Sequence, residues 1–360
     1  GAYDGFFAKY DPSGNYLWAK QISGTNDASV YSLAVDGTGN IYLTGDFFQT
    51  ADFDPDAGTA NLTSAALSDI FIAKYNASGN YLWANRIGAA GYDTGSKLLL
   101  DGNGDMCLLG YFGSAPDFDP GAGTAILTSA GDYDCFFAKY DASGNYIWAR
   151  GLGGTGRDFG VDFALDANNN FYITGEFRNT VDFDPNAGTI FLTSTGFTDI
   201  FIAKYNPSGN YIWATAIGGL QYDAGGCISV SSAGKISVGG KFEDYVDFDF
   251  GVSRTAASPH GDIFITQFSA TFAFEWVNHL VPFQSPGGSV CTGIARDAAG
   301  NVYAAGSFSG TTDFDPGPGT ANIVGDQDIF IVKYGASGNY LWAKKIGSAQ
   351  GTDYATSIAV

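Results

Sequence analysis

Residues 71–84 read FIAKYNASGNYLWA, and the chain repeats this stretch along its whole length. Residues 6–19 read FFAKYDPSGNYLWA, 136–149 FFAKYDASGNYIWA, 201–214 FIAKYNPSGNYIWA, 264–277 FITQFSATFAFEWV and 330–343 FIVKYGASGNYLWA. Each copy carries one tryptophan: Trp18, Trp83, Trp148, Trp213, Trp276 and Trp342, spaced by 65, 65, 65, 63 and 66 residues. A fixed period of this length marks a repeat architecture.

Four strands fit into one period. The first is short and apolar, as in Ser32 to Val35, and enters a DGTGN turn. The second is Ile41 to Gly45. A long connection, suggesting a small extra hairpin, leads to the third strand, Asp69 to Tyr75, and an NASGN turn leads to the fourth, Tyr81 to Arg86. Gly and Asn at fixed offsets in the two short turns supply the positive φ that tight hairpins require. Apolar residues recur on both faces of these strands, so both faces are expected to be buried, and no helical period competes. Four-stranded sheets that cannot bury two faces alone stack side by side and close radially, as in a β-propeller. The fold expectation is therefore all-β, one propeller over 1–360 with six four-stranded blades, or seven if the natural chain is longer. The units run 1–29, 30–94, 95–159, 160–224, 225–289, 290–352 and 353–360, the first and last partial.

The D-x-F-x-A-K-Y, S-G-N and D-x-x-G-N-x-Y-x-T-G stretches resemble the bacterial β-propeller repeat family SBBP. The order of strands resembles NHL-type blades, which implies that the first strand is innermost and the Trp strand outermost. The resemblance implies a secreted or cell-surface bacterial protein, as in the Bacteroidota, and it implies no reaction.

Composition agrees with this class. Gly 51, aromatic residues at 16% and 45% hydrophobic residues suit an all-β protein with many turns and a packed core. A net charge of −20 argues against nucleic acid and against an anionic membrane surface, and no apolar run reaches the ~20 residues needed to cross a bilayer. Cys107, Cys135, Cys227 and Cys291 occupy non-equivalent places and form no C-x-x-C pair, so they read as isolated buried thiols.

The long connection repeats its own motif: Asp52-Phe53-Asp54-Pro55, Asp117-Phe118-Asp119-Pro120, Asp182-Phe183-Asp184-Pro185, Asp247-Phe248-Asp249-Phe250 and Asp313-Phe314-Asp315-Pro316. Asp93, Asp158, Asp223 and Asp353 recur in the blade-to-blade crossings. Together these suggest one loop-rich, electronegative face, the expected binding surface. The motif aspartates fit Asx-turns with a Phe plug between blades. The competing assignment is Ca²⁺, with Asp52, Asp54 and Asp56 closest to a ligand run; the place of Asp56 is Gly121, Asn186, Gly251 and Gly317 elsewhere.

Lys9, Lys74, Lys139, Lys204 and Lys333 recur on the third strand and are expected to pair with recurrent aspartates. Gln267 replaces this Lys in the unit where Phe250 replaces the motif's Pro, as pairing would produce. The residues that the repeat leaves unexplained are His260, His279, Glu243, Asp244, Glu275 and Arg254, all in the divergent fourth full unit. A carboxylate pair there is the one opening for glycosidase chemistry, but Glu275 reads as an edge-strand charge. No phosphate loop, H-E-x-x-H or nucleophile elbow occurs, so the expectation is a non-catalytic protein. It is expected to be an extracellular structural or assembly module with a protein partner or self-association. The alternative is a glycan- or peptide-binding propeller. Finally, the third, fourth and first strands occur six times, the last first strand at Ala355 to Val360, and the second only five. Closing a ring would pair the strands at Phe6 to Gln21 with Ala355 to Val360 in a blade that lacks its second strand, so the natural chain is expected to continue past Val360; the alternative is a strand donated by a neighbouring molecule.

Overall fold

The computed structural model describes residues 3–250, 261–283, 289–348 and 351–360. His260, Arg254 and Gly251 lie outside the described residues. Every regular element described is a strand. The chain divides into two compact units: Gly1–Gly160 with Asp184–Thr189 and Ser208–Asn210, and Val161–Phe183 with Ile190–Pro207 and Tyr211–Val360.

The first unit opens with a hairpin, β1 (Gly5–Tyr10) and β2 (Tyr16–Gly24). One antiparallel sheet follows, β3 (Ala28–Val35), β4 (Ile41–Asp52), β5 (Asn61–Tyr75) and β6 (Tyr81–Ile87), its strands paired in chain order. A second has the same order: β7 (Asp93–Leu100), β8 (Met106–Phe112), β9 (Asp134–Tyr140) and β10 (Tyr146–Gly154). β2 pairs with β4 through Ser23–Asp52 and Gly24–Ala51, and Gly88 bridges Asp117. The end of a fourth strand thus meets the first motif aspartate of the following repeat.

β11 (Phe159–Leu165) enters the second unit at Val161, β12 (Phe171–Phe177) follows, and a small hairpin, β13 (Thr180–Asp182) and β14 (Phe191–Thr193), stands in the long connection. β15 (Asp199–Tyr205) and β16 (Tyr211–Ile217) complete a sheet ordered β11-β12-β15-β16. The next is β17 (Ala224–Val230), β18 (Ile236–Phe242), β19 (Asp262–Phe268) and β20 (Phe274–Leu280). After the two-residue β21 (Pro282–Phe283) come β22 (Val290–Arg296), β23 (Val302–Asp313), β24 (Asn322–Tyr334) and β25 (Tyr340–Ile346).

Each full repeat is therefore one four-stranded antiparallel meander. The expected extra hairpin is present, but in the first and last full repeats it is an extension of the second and third strands. There Thr50 pairs with Thr63 and Asp52 with Asn61 beyond a bulge at Phe48–Thr50. Gln49 at the bulge has φ 57°, and Asn179 and Asp244 repeat it at 64° and 62°. The sixth first-strand segment expected at Ala355 to Val360 forms no strand among the described residues. It lies against β22, where Thr292 Oγ1 donates to Ala355 O at 2.5 Å.

Both faces of the sheets are buried, as the double apolar pattern requires. Ile70 and Ile72 pack with Leu98, Leu108, Phe136 and Tyr140 of the next sheet. Phe71 and Ala73, on the other face, pack with Phe7, Ile22 and Phe53. Each large side chain so buried contributes about 1.5–3 kcal/mol, which makes sheet-on-sheet packing the main source of stability. All four thiols are buried, but Cys227 and Cys291 are not isolated: their sulfurs stand 3.5 Å apart.

Candidate functional site

The motif aspartates are held by their own backbone. Asp52 Oδ1 accepts the N–H groups of Asp54 (3.0 Å) and Ala60 (2.8 Å), and Asp54 Oδ1 accepts that of Asp56 (3.0 Å). Asp117 accepts from Asp119 and Ala125, and Asp119 from Gly121. Asp313 accepts from Asp315 and Ala321, and Asp315 from Gly317. Asp182 accepts from Ile190, Asp184 from Asn186, and Asp247 from Asp249. The carboxylate of Asp54 lies over Gly58, where an added Cβ would stand 2.0 Å from Oδ2; Gly123, Gly188 and Gly319 serve Asp119, Asp184 and Asp315 in the same way. Asp56 is drawn off to Lys20, 2.5 Å away. Among the described residues no three His, Cys, Asp or Glu side chains gather as a metal ion would need.

The Phe of the motif is a plug, as expected: Phe53, Phe118, Phe183, Phe248 and Phe314 are buried. Four of the five loops are tied down by a tyrosine that ends the third strand; in the fourth full repeat that place is Phe268. Tyr75, Tyr140, Tyr205 and Tyr334 donate O–H to the carbonyls of Phe53, Phe118, Phe183 and Phe314 at 2.8–3.0 Å.

The crossing aspartates require a correction. Asp93, Asp158 and Asp223 are buried and add little to any electronegative face. Asp93 accepts from Ala89 N and Gly113 N, Asp158 from Gly154 N, and Asp223 from Gly219 N and Glu243 N. They satisfy backbone donors where chain crosses from sheet to sheet. Burial pushes Asp93 and Asp223 up to about 7, against the pull of those donors. A second buried carboxyl starts each third strand. Asp69 meets Arg86 (2.5 Å), Asp328 meets Lys345 (2.6 Å), and Asp262 meets His279. Asp134 has Gly151 at the place of Arg86, and burial raises it to about 6.

The third-strand lysines do form ion pairs, but with a different aspartate from the motif and crossing residues. Lys139 lies between Asp101 (2.8 Å) and Asp105 (2.9 Å); Lys333 meets Asp297 at 3.1 Å and Lys204 meets Asp166 at 3.7 Å. These partners open the turn between first and second strands. Lys9 and Lys74 reach forward to the carbonyls of Ala77 and Ala142 in the next repeat's turn. Where Gln267 replaces the Lys, the turn residue is Ser231. The coupled departure is therefore Ser231, not Phe250. Charge returns by another route: Lys235 pairs with Glu275 at 2.8 Å, and Gln267 bonds both Glu275 and Arg296. Glu275 is thus an ion-pair partner on its strand, and its neighbours hold it below the usual range against the opposing effect of burial.

Two exposed features stand out, of which only the first was not legible in the sequence. The first is an aromatic strip at the crossing ends of the first unit's sheets. Phe48 and Tyr92 lie 6.2 Å apart, Tyr92 and Tyr133 6.4 Å, Tyr133 and Phe159 6.1 Å, and Tyr111 and Phe159 4.9 Å, all at least partly exposed. Arg157 covers Tyr133 at 5.8 Å and reaches Asp132 at 3.3 Å. In the second unit Phe197 and Tyr222 stack at 4.8 Å. The available signal was the Tyr before Asp93 and before Asp223. The second feature is β1, which among the described residues pairs with β2 alone. Phe6 is 71% exposed, whereas its counterparts Phe71, Phe136, Phe201, Phe264 and Phe330 are at most 1% exposed.

Repeated four-stranded meanders, packed on both faces and joined by short crossings, define an all-β protein of the β-propeller class. Residues 17–46 match the family model described as SBBP, Beta-propeller repeat. Among curated proteins, the uncharacterized WD repeat-containing protein L264 of Acanthamoeba polyphaga mimivirus is 28% identical over 66% of this chain and 21% of its own length. The regulatory protein FlaEY of Caulobacter vibrioides is 24% identical over 98% of this chain and 37% of its own. The chain thus spans well under half the length of these relatives. Among solved structures, BamB from Moraxella catarrhalis aligns with 91% of this chain and 90% of its own at 13% identity and a TM-score of 0.34. A Bacteroides caccae protein of unknown function aligns with 74% of this chain and 86% of its own at 11% identity and a TM-score of 0.30.

Proposed function

We propose that this protein is a non-catalytic interaction module of the cell exterior that engages a protein partner through the aromatic strip of its first unit. The strip carries the reading: Phe48, Tyr92, Tyr133 and Phe159 follow one another at 6.1–6.4 Å, and none of them is fully buried. Rigid aromatic anchors with a charged rim, here Arg157 and Asp132, are what protein interfaces use. Support for a non-catalytic role comes from the divergent unit, where Glu275 and His279 are committed to Lys235, Gln267 and Asp262. The exterior location rests on the net charge of −20, suited to a dispersed protein, and fractionation of the producing cell checks it.

The test is co-purification from the producing cell, followed by titration of the recovered protein against the wild type and Tyr92→Ala. Saturable binding that Tyr92→Ala weakens at least tenfold supports the reading; equal binding by both sinks it.

The aromatic strip favours a second reading, a glycan ligand. Half-exposed rings beside Arg157 and Asp132 offer stacking faces with polar groups at the rim. A glycan array against the wild type and Tyr92→Ala decides it: no signal above background removes this reading.

A further inference from the structure

We propose that Cys227 and Cys291 form a disulfide site that staples two consecutive sheets of the second unit. The two sulfurs stand 3.5 Å apart and both side chains are fully buried. Cys227 is on β17 and Cys291 on β22, in different sheets with no ladder between them. A bond here would add a covalent link to repeats that otherwise meet through packing and side-chain hydrogen bonds such as Asn278 Nδ2 to Gly338 O at 2.9 Å.

Three departures from the repeat build the place. Opposite the second strand, Cys227 takes the position of Ser32, Lys97 and Gly293, and Cys291 takes that of Val30, Gly95 and Gly225. Gly239 takes the position of Thr44, Leu109 and Ala305. A Cβ on Gly239 would stand 2.6 Å from Cys291 Sγ and 3.0 Å from Cys227 Sγ. Any of the other residues seen there would push the sulfurs away, so the glycine and the two thiols belong to one arrangement. In neighbouring repeats the cross-sheet contact at this place is Thr44 Oγ1 against Gly95, or Thr174 Oγ1 against Gly225. A small residue opposite a hydroxyl has been replaced by a thiol opposite a thiol.

Bond formation requires the sulfurs to close to about 2.05 Å. Both strands bulge beside the cysteines, between Gly225 and Cys227 and between Cys291 and Gly293, which leaves the backbone local freedom to adjust. The oxidant is a small-molecule disulfide. One protein thiolate attacks its S–S bond and releases one small thiol; the second attacks the protein sulfur of the mixed disulfide and releases the other. One S–S bond forms, one breaks, and the two thiol protons pass to the two released thiols. Burial holds the Cys227 thiol well above its ordinary range, so the exchange belongs to folding, before the sheets close over it. Cys107 and Cys135 face Lys139 and Tyr111 across the β8–β9 ladder, apart from one another, and stay reduced.

The experiment unfolds the full chain and refolds it in oxidised or in reduced glutathione. After denaturation, the oxidised sample is expected to show two free thiols in place of four, a mass lower by about 2 Da, and one linked peptide pair containing residues 227 and 291. Its unfolding midpoint is expected to rise by about 5 °C. Cys107→Ser keeps the link, while Cys227→Ser and Cys291→Ser each abolish it. Four free thiols in the oxidised sample, or a link through Cys107 or Cys135, overturn the proposal. Folded protein exposed to oxidised glutathione in mild urea gives the same readout if refolding fails.

Discussion

The indole of Trp83 lies against Gly144 of the following repeat, so closely that a Cβ on Gly144 would stand 3.0 Å from its ring. Trp18 meets Gly79, Trp148 meets Gly209 and Trp276 meets Gly338 in the same manner. These four fourth strands are thereby docked on the next repeat's turn, where a glycine that serves its own hairpin also serves its neighbour; Trp213 meets Phe272 at that place instead, 4.5 Å away. Three substitutions separate the two roles. Gly37→Ala has neither neighbours nor positive φ against it and is expected to be neutral. Gly104→Ala has φ +83° and open space, so it loses about 1 kcal/mol. Gly144→Ala has both φ +83° and the indole, and is expected to lose about 3 kcal/mol in urea unfolding. Equal losses at 104 and 144 would remove the docking role.

Lys139 is held by two carboxylates, and its side chain is 9% exposed. Lys139→Met leaves Asp101 and Asp105 facing each other with no cation, and is expected to cost about 3 kcal/mol. The fourth full repeat supplies the compensation. There Gln stands for Lys and Ser for Asp, and Ser231 Oγ still accepts the turn's Lys235 N–H at 3.0 Å. Lys139→Gln with Asp101→Ser should therefore lose less than the two single changes added together. Strict additivity in a double-mutant cycle would show that the pairing carries no coupling.

Much of this was legible. Strand count, turn positions, the Phe plug and the burial of both faces follow from residues that recur at one period, because the same packing problem is solved in every repeat. The Lys–Asp pairing was legible as a fact but assigned to the wrong aspartate. Phe250 and Ser231 change in the same unit as Gln267, and only the register of the third strand against the second brings position 231 rather than 250 to the lysine. The aromatic strip and the Cys227–Cys291 contact were not legible, since each depends on which residues of neighbouring sheets face one another. That relation lies between repeats, and a motif read within one repeat does not contain it.

Stability is expected to rise on mild acidification. Asp93 and Asp223 near 7 and Asp134 near 6 sit above their ordinary value of 3.8. A carboxyl raised by folding contributes stability that is fully present below its unfolded value and lost as pH climbs through the folded one. Working the other way, side-chain and backbone donors hold Asp101, Asp141 and Asp166 below 3.8 despite the opposing effect of burial. Their contribution is present above 3.8 and lost in stronger acid. The thermal midpoint should therefore climb by several degrees from about pH 8 to about pH 5 and fall below about pH 4. Asp93→Asn with Asp223→Asn should flatten the first slope; a midpoint that declines steadily from pH 8 downward would contradict the assignment.

Asp52 tests what the repeated motif is for. Its Oδ1 holds two backbone N–H groups, one of them eight residues away at Ala60, so it closes the long connection at its base. An amide oxygen can accept the same two bonds, whereas a methyl cannot. Asp52→Asn is therefore expected to stay within about 0.5 kcal/mol of the wild type, and Asp52→Ala to lose about 2 kcal/mol, more than one hydrogen bond's worth because two donors are stranded. A calcium site would behave differently. A divalent ion bound to the folded state raises the midpoint by mass action, and an Asn in place of a ligand carboxylate weakens the ion's hold. With Oδ1 of Asp52, Asp54, Asp117, Asp119, Asp313 and Asp315 each given to a backbone donor, millimolar calcium and chelator are expected to give the same midpoint. A calcium-dependent rise that Asp52→Asn abolishes would reassign the motif to ion binding and make its backbone bonds the frame of the site.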